Sequence, residues 1–271
     1  MLRKNRAGFI SVLFILMLLI SGWIAYSAAC DYEFQTEALT ERLRTQPKVT
    51  TLLKRFAEGI TLGNYQGYSQ ELEELKAIKM AKENSKNRAV WATIVFFLLS
   101  FFAFIYALVV DKVLLIPVMW IVSLIALPVG LFAPILMIVS YKELPILGEV
   151  VFTFQSKGIV TTIETLFISG NILVAIPLFL FSVMIPFFKT VIMGLALLTP
   201  AQSIAFQSLR LIKTIGKWSM ADVFVVALLL TYFIVNKDKS TNAEVQTGLY
   251  FFLFYVILSM IVSHLLIFMK K

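Results

Sequence analysis

The feature that most constrains this chain is a series of apolar blocks, nearly free of charge and each long enough to cross a bilayer. A hydrocarbon core about 30 Å thick is crossed by ~20 residues of helix. No water is available there to pair a bare N–H or C=O, so a single continuous apolar segment satisfies its own backbone only as a helix. The surrounding composition agrees. Hydrophobic residues make up 59% of the chain, charged residues 15%, and the mean hydropathy is +0.88. A soluble domain is nearer half apolar and a quarter charged. The expected fold class is therefore an all-α polytopic membrane protein with six transmembrane helices, and a soluble enzyme fold is excluded.

The chain divides into four parts. Residues 1–30 form an N-terminal anchor, with Gly8 to Ala29 apolar and Arg3, Lys4 and Arg6 in front. The run exceeds the 7–15 residues of a signal-peptide core. Ser27-Ala28-Ala29-Cys30 has the small residues of a lipidation site, but serine stands where an aliphatic residue is required, so Cys30 is expected to stay unmodified. Residues 31–88 are polar with nearly balanced charge. Leu39 and Leu43, then Leu52, Leu53, Phe56 and Ile60, then Leu72, Leu75 and Ile78 recur at helical spacing. Pro47 and the stretch 62–67 interrupt them. The pattern predicts an insertion of two or three amphipathic helices.

Residues 89–112 supply a second transmembrane helix, from Ala89 to Val110, and the polar turn Asp111-Lys112. Residues 113–271 hold the other four. The first runs from Val113 to about Ser140 and the second from about Thr165 to Leu198. The third runs from Trp218 to about Val235 and the last from Gly248 to Met269. Between the first two of these, residues 149–163 read as a β-hairpin: Val150–Phe154, a turn ending in Gly158, then Ile159–Ile163. Both flanks are β-branched or aromatic, and glycine sits where a tight turn wants it.

Charge sets the orientation. Six spans place both termini on one side, and that side holds Arg3, Lys4, Arg6, Lys112, Arg210, Lys213, Lys217, Lys270 and Lys271. The opposite short loops hold Lys142, Lys157, Lys237 and Lys239. The positive-inside rule then makes both termini cytoplasmic, and makes 31–88 and the hairpin extracytoplasmic. The same placement of lysine and arginine at span ends accounts for the net charge of +8 and argues against a nucleic-acid partner. One cysteine and one histidine exclude a disulfide and a cysteine-rich metal site, and no cofactor is expected. No Walker A sequence, nucleophile elbow or two-histidine zinc helix is present, so the chain is not expected to be an enzyme.

An ionisable group at membrane depth costs a few kcal/mol, which makes each one a functional candidate. Lys189 has apolar sequence on both sides, and Asp222 opens the fifth span. Ser182 lies seven residues before Lys189, and Ser219 three before Asp222, spacings that share a helix face. Ser259 on the last span completes a polar lining of Ser182, Lys189, Ser219, Asp222 and Ser259; Ser263 and His264 lie on the same helix. If spans four and five pack antiparallel, Lys189 and Asp222 approach one another. Two blander readings stand beside this. Lys189 snorkels toward the headgroups, or Asp222 is a carboxylate favoured by its helix N-terminus.

Two segments carry a family resemblance. Lys217-Trp218-Ser219-Met220-Ala221-Asp222-Val223-Phe224 resembles a signature of the paraquat-inducible protein A family, with Trp218, Met220, Val223 and Phe224 as its apolar positions. Ile185-Pro186-Phe187-Phe188-Lys189 resembles that family's proline–x–x–lysine segment. The likeness covers about residues 113–271. It implies an inner-membrane module of four helices with a small extracytoplasmic sheet. It also implies a role in lipid transport beside a tunnel protein with mammalian-cell-entry (MCE) domains, membrane lipids being the cargo. Buried polar residues would couple protons to lipid movement, which by motif are Ser182, Lys189, Ser219 and Asp222 here. Typical members carry two modules, each preceded by a zinc ribbon with paired cysteines; this chain carries one module and one cysteine. A non-transporting assembly subunit and an ion or small-solute permease remain as alternatives.

Overall fold

A computed structural model of the chain describes residues 2–45, 67–110, 114–144, 148–198 and 241–269. The elements in chain order are α1 (Leu2–Thr45), α2 (Gly67–Val110), α3 (Leu115–Phe132), β1 (Leu136–Leu144), β2 (Gly148–Lys157), α4 (Ile159–Ile168), α5 (Ile172–Leu198), β3 (Thr241–Val245) and α6 (Thr247–Met269). Among the described residues five helices are long and apolar enough to span a membrane: α1, α2, α3, α5 and α6. The expected span from Trp218 to about Val235 lies outside the described residues.

The first two helices are longer than a bilayer requires. Each has 44 residues, so each is about 66 Å long at 1.5 Å per residue. Neither breaks where the polar sequence begins or ends. Between Trp23 and Thr45, and between Tyr68 and Val110, there is no glycine or proline to stop a helix. The described parts of the 31–88 region are therefore extensions of the two spans rather than helices of their own; residues 46–66 lie outside the described residues. The two helices pair along much of their length. Phe14 meets Tyr106 at 6.0 Å between ring centroids near one end, and Lys82 and Lys86 lie over the Tyr32 ring toward the other.

The core sits where α2, α3 and α6 converge. Phe96 and Phe97 of α2 stack among Phe251 and Phe254 of α6, with centroids 4.8–6.2 Å apart. The α3–α6 contact is tighter still. A Cβ on Gly130 would lie 2.7 Å from the Phe252 backbone, and one on Gly248 would lie 2.5 Å from the Ala133 carbonyl oxygen. Small residues at such crossings let helix backbones approach, which is how spans gain packing energy in lipid. Hydrogen bonds from Gln246 N–H to Ile135 O and from Gly248 N–H to Pro134 O fix the start of α6 to the end of α3.

The sheet has three antiparallel strands in the order β2-β1-β3. Leu136 pairs with Lys157 and Leu144 with Gly148, with a register shift at Ser140/Tyr141; on the other edge Leu136 pairs with Val245 and Ser140 with Thr241. This corrects the expected hairpin at 149–163. Val150–Phe154 is strand, but its partner is Leu136–Leu144, on the N-terminal side. The helix expected to reach Ser140 ends at Phe132, where extended Ala133 precedes Pro134. The apolar run after it, short enough for either structure, is β1.

Ile159–Ile163, expected as a strand, begins α4. Gly158 is the residue before the helix and not the centre of a turn. Its N–H donates to Thr161 Oγ1 at 2.8 Å, and its carbonyl accepts from Thr162 Oγ1 at 2.6 Å. The threonines that raised the strand propensity serve as caps instead. Gly170, with φ +77°, turns the chain from α4 into α5.

The α1–α2 pair meets the sheet at β2, against which α1 packs, and at β3 through a polar contact. Tyr32, buried, donates its phenol to Glu244 Oε2 at 3.1 Å, and Lys86 reaches the same oxygen at 3.4 Å. Glu244 lies on β3, three residues before α6 begins.

Candidate functional site

Helix α5 is irregular in its middle. Ile172–Phe179 is α-helical, Leu180–Met184 forms a π-turn, and α-helix resumes over Ile185–Leu198. In the π-turn the Ile185 N–H reaches back to the Leu180 carbonyl, and the next residue is Pro186, which has no N–H to give. In hydrocarbon such a break must be satisfied by neighbouring groups. The turn that follows, Pro186 to Thr190, is held by side chains from two other helices.

From α6, the Tyr255 phenol donates to the Pro186 carbonyl at 2.8 Å and stands 2.9 Å from Thr190 Oγ1. Thr190 Oγ1 donates to the same carbonyl at 2.9 Å. From α3, the Trp120 indole N–H donates to the Thr190 carbonyl at 2.9 Å. The indole lies so close to α5 that a Cβ on Gly194 would meet its Cζ2 at 2.5 Å.

Lys189 belongs to this turn. It is 2% exposed, and its Nζ donates to Ser259 Oγ of α6 at 3.1 Å. Ser259, 1% exposed, directs its own hydroxyl to the Val256 carbonyl at 3.2 Å, leaving lone pairs for the amine. One turn further, Ser263 donates to the Ser259 carbonyl and stands 3.6 Å from Met193 Sδ. Tyr255, Ser259 and Ser263, four residues apart, thus form a polar stripe on α6 facing Pro186, Lys189, Thr190 and Met193 on α5.

Of the residues singled out from sequence, the structure brings Lys189 and Ser259 into contact and places the Pro186 carbonyl beside them. The Lys189 amine is turned between α5 and α6. Ser182 is buried inside the π-turn, an irregularity that alters the register assumed by its seven-residue spacing from Lys189. Ser219 and Asp222, with Trp218, Met220, Val223 and Phe224, lie outside the described residues. His264 is exposed. Sequence reasoning missed Trp120, Thr190 and Tyr255. The four-residue recurrence of Tyr255, Ser259 and Ser263 was the available signal, but a lone tyrosine in an apolar helix reads as packing.

Five candidate spans, with a buried amine against a serine hydroxyl between two of them, define a multi-pass α-helical membrane protein. The family model of paraquat-inducible protein A matches residues 130–266, just over half of the chain. The chain belongs to that family. The match takes in the end of α3, the sheet, α4, α5 and most of α6, and leaves α1 and α2 outside. No curated protein and no solved structure matches the chain.

Proposed function

We propose that this chain is the inner-membrane component of an intermembrane phospholipid transport system, working beside a periplasm-spanning tunnel protein with MCE domains. Its termini are cytoplasmic and its sheet extracytoplasmic. The observation that carries the reading is the Lys189–Ser259 contact. A primary amine buried between spans is expensive, and such groups mark ion, proton or substrate pathways. Lys189 would bind and release the coupling proton, with Ser259, Ser182 and, by family motif, Ser219 and Asp222 around it.

A hydrolytic reading of the same pair is disfavoured. The distance suits a serine–lysine nucleophile, but Ser259 is almost wholly buried and its hydroxyl is directed at its own helix, so no substrate carbonyl meets it. A second reading, an assembly subunit, is favoured by the fact that these hydrogen bonds run between α3, α5 and α6 and hold the helices together.

The test is the partition of pulse-labelled phospholipid between inner and outer membranes in cells lacking the protein. Wild type should restore the distribution, and Lys189→Met at equal abundance should not. An unchanged distribution in the deletion strain refutes transport. A Lys189→Met protein that is scarce but fully active per molecule supports the assembly reading.

A further inference from the structure

The proposed role of Lys189 asks for an amine held at one place, and the turn of α5 that carries it is gripped from two other helices. The π-turn at 180–184 and Pro186 interrupt the backbone ladder immediately before the lysine's own turn. Within α5 the Thr190 hydroxyl ties that turn to the Pro186 carbonyl, and further anchors come from outside the helix. Tyr255 is 1% exposed and meets both the Pro186 carbonyl and the Thr190 hydroxyl. Two hydroxyl protons serve three oxygen–oxygen contacts there, so the Thr190 hydroxyl stays tied whichever way its proton points. Trp120 holds the Thr190 carbonyl from α3. Lys189 lies between the two anchored residues, and Ser259 lies one turn along α6 from Tyr255.

We propose that Tyr255 is a positioning residue for Lys189, acting through Thr190 and Pro186 to hold the amine against Ser259, with Trp120 as the opposing clamp. The inference rests on the reading of Lys189 as the functional amine. In free energy the clamp is small: each hydroxyl contact is an ordinary hydrogen bond, whose loss changes a local equilibrium about five-fold. In geometry it is decisive, because a turn freed from α6 carries its lysine away from Ser259.

The experiment measures how fast Lys189 is acetylated by acetic anhydride in the full chain, reconstituted in vesicles of phosphatidylethanolamine and phosphatidylglycerol. Peptide mass spectrometry reads the rate, with the exposed Lys76 and Lys79 in the same sample as reference. Tyr255→Phe, which removes one oxygen and keeps the ring, should raise the relative rate about five-fold. Thr190→Val should do the same, and Thr190→Ser, which restores the hydroxyl, should return it to the wild-type rate. In a Ser259→Ala background, already faster, Tyr255→Phe should add nothing, since both act on one contact. If Ser259→Ala accelerates the reaction and Tyr255→Phe does not, or if their effects add, the positioning role is overturned while the Lys189 site stands. If Ser259→Ala has no effect, the Lys189–Ser259 contact is not what shelters the amine, and the site and its positioning residue fall together.

Discussion

Gly194→Ala separates two opposing forces at one atom. On intrinsic propensity the change is favourable, since alanine exceeds glycine in a helix interior by about 1 kcal/mol. Gly194, however, faces the Trp120 indole. The added methyl would stand 2.5 Å from Cζ2, 3.1 Å from Cε2 and 3.2 Å from Cη2, against an ordinary contact of 3.5–4 Å. The indole is rigid and has to tilt or retreat by about 1 Å, at an overpacking cost of roughly 1–3 kcal/mol. Retreat also draws Nε1 from the Thr190 carbonyl, now at 2.9 Å, and an unpaired indole N–H in this setting costs a further 1–3 kcal/mol or so. The clash wins by about 3 kcal/mol. At about 2–4 °C per kcal/mol for chains of this order of size, the unfolding midpoint in detergent should fall by roughly 6–12 °C. Trp120→Phe in the same chain removes both the clashing edge and the hydrogen bond, so the double variant should be less destabilised than the sum of the singles. A midpoint raised by Gly194→Ala, as propensity alone demands, refutes the tight Trp120–α5 contact and the clamp argued from it.

Three further outcomes are expected. Cysteines substituted at Gln66 and Thr241 should react with an impermeant thiol reagent from the periplasmic side of spheroplasts; reaction only after lysis reverses the orientation. Mass spectrometry of the purified protein should show the segment before Cys30 intact and the thiol unmodified, and a mature chain beginning at a diacylated Cys30 contradicts the retained anchor. On the expectation from sequence that Lys189 and Asp222 pair between spans, Lys189→Met and Asp222→Ala should each abolish lipid partition and lower abundance, since stranding one member of a buried pair costs ~3–5 kcal/mol. The double variant should recover abundance without activity; single and double variants of equal abundance refute the pairing.

The five described spans were legible because the signal is summed over some twenty residues, and no single misreading removes it. What failed was local. Leu136–Ser140 and Ile159–Ile163 are short apolar or β-branched runs, and such runs fit a strand or a buried helix equally well. The capping hydroxyls of Thr161 and Thr162 decided one, and Pro134 decided the other. The polar stretch after Cys30 suggested a boundary, yet polarity does not end a helix; only caps, glycine and proline do, and none is present before Pro47. Within the site, Lys189 was legible because charge in an apolar block is rare. Trp120 and Tyr255 were not, because nothing in their own neighbourhoods marks them. Their roles exist only where α3 and α6 cross α5.

The length of α1 and α2 has a mechanical consequence. A bilayer engages about 30 Å of a pair about 66 Å long, so much of each helix stands clear of the hydrocarbon as a stiff arm. Lateral ties to the rest of the protein include Tyr32 and Lys86 against Glu244, and the packing of α1 on β2. A sideways force on the far end therefore turns about the membrane with leverage, and part of the load arrives at the strand directly ahead of the helix that bears Tyr255 and Ser259. The geometry is that of a pump handle.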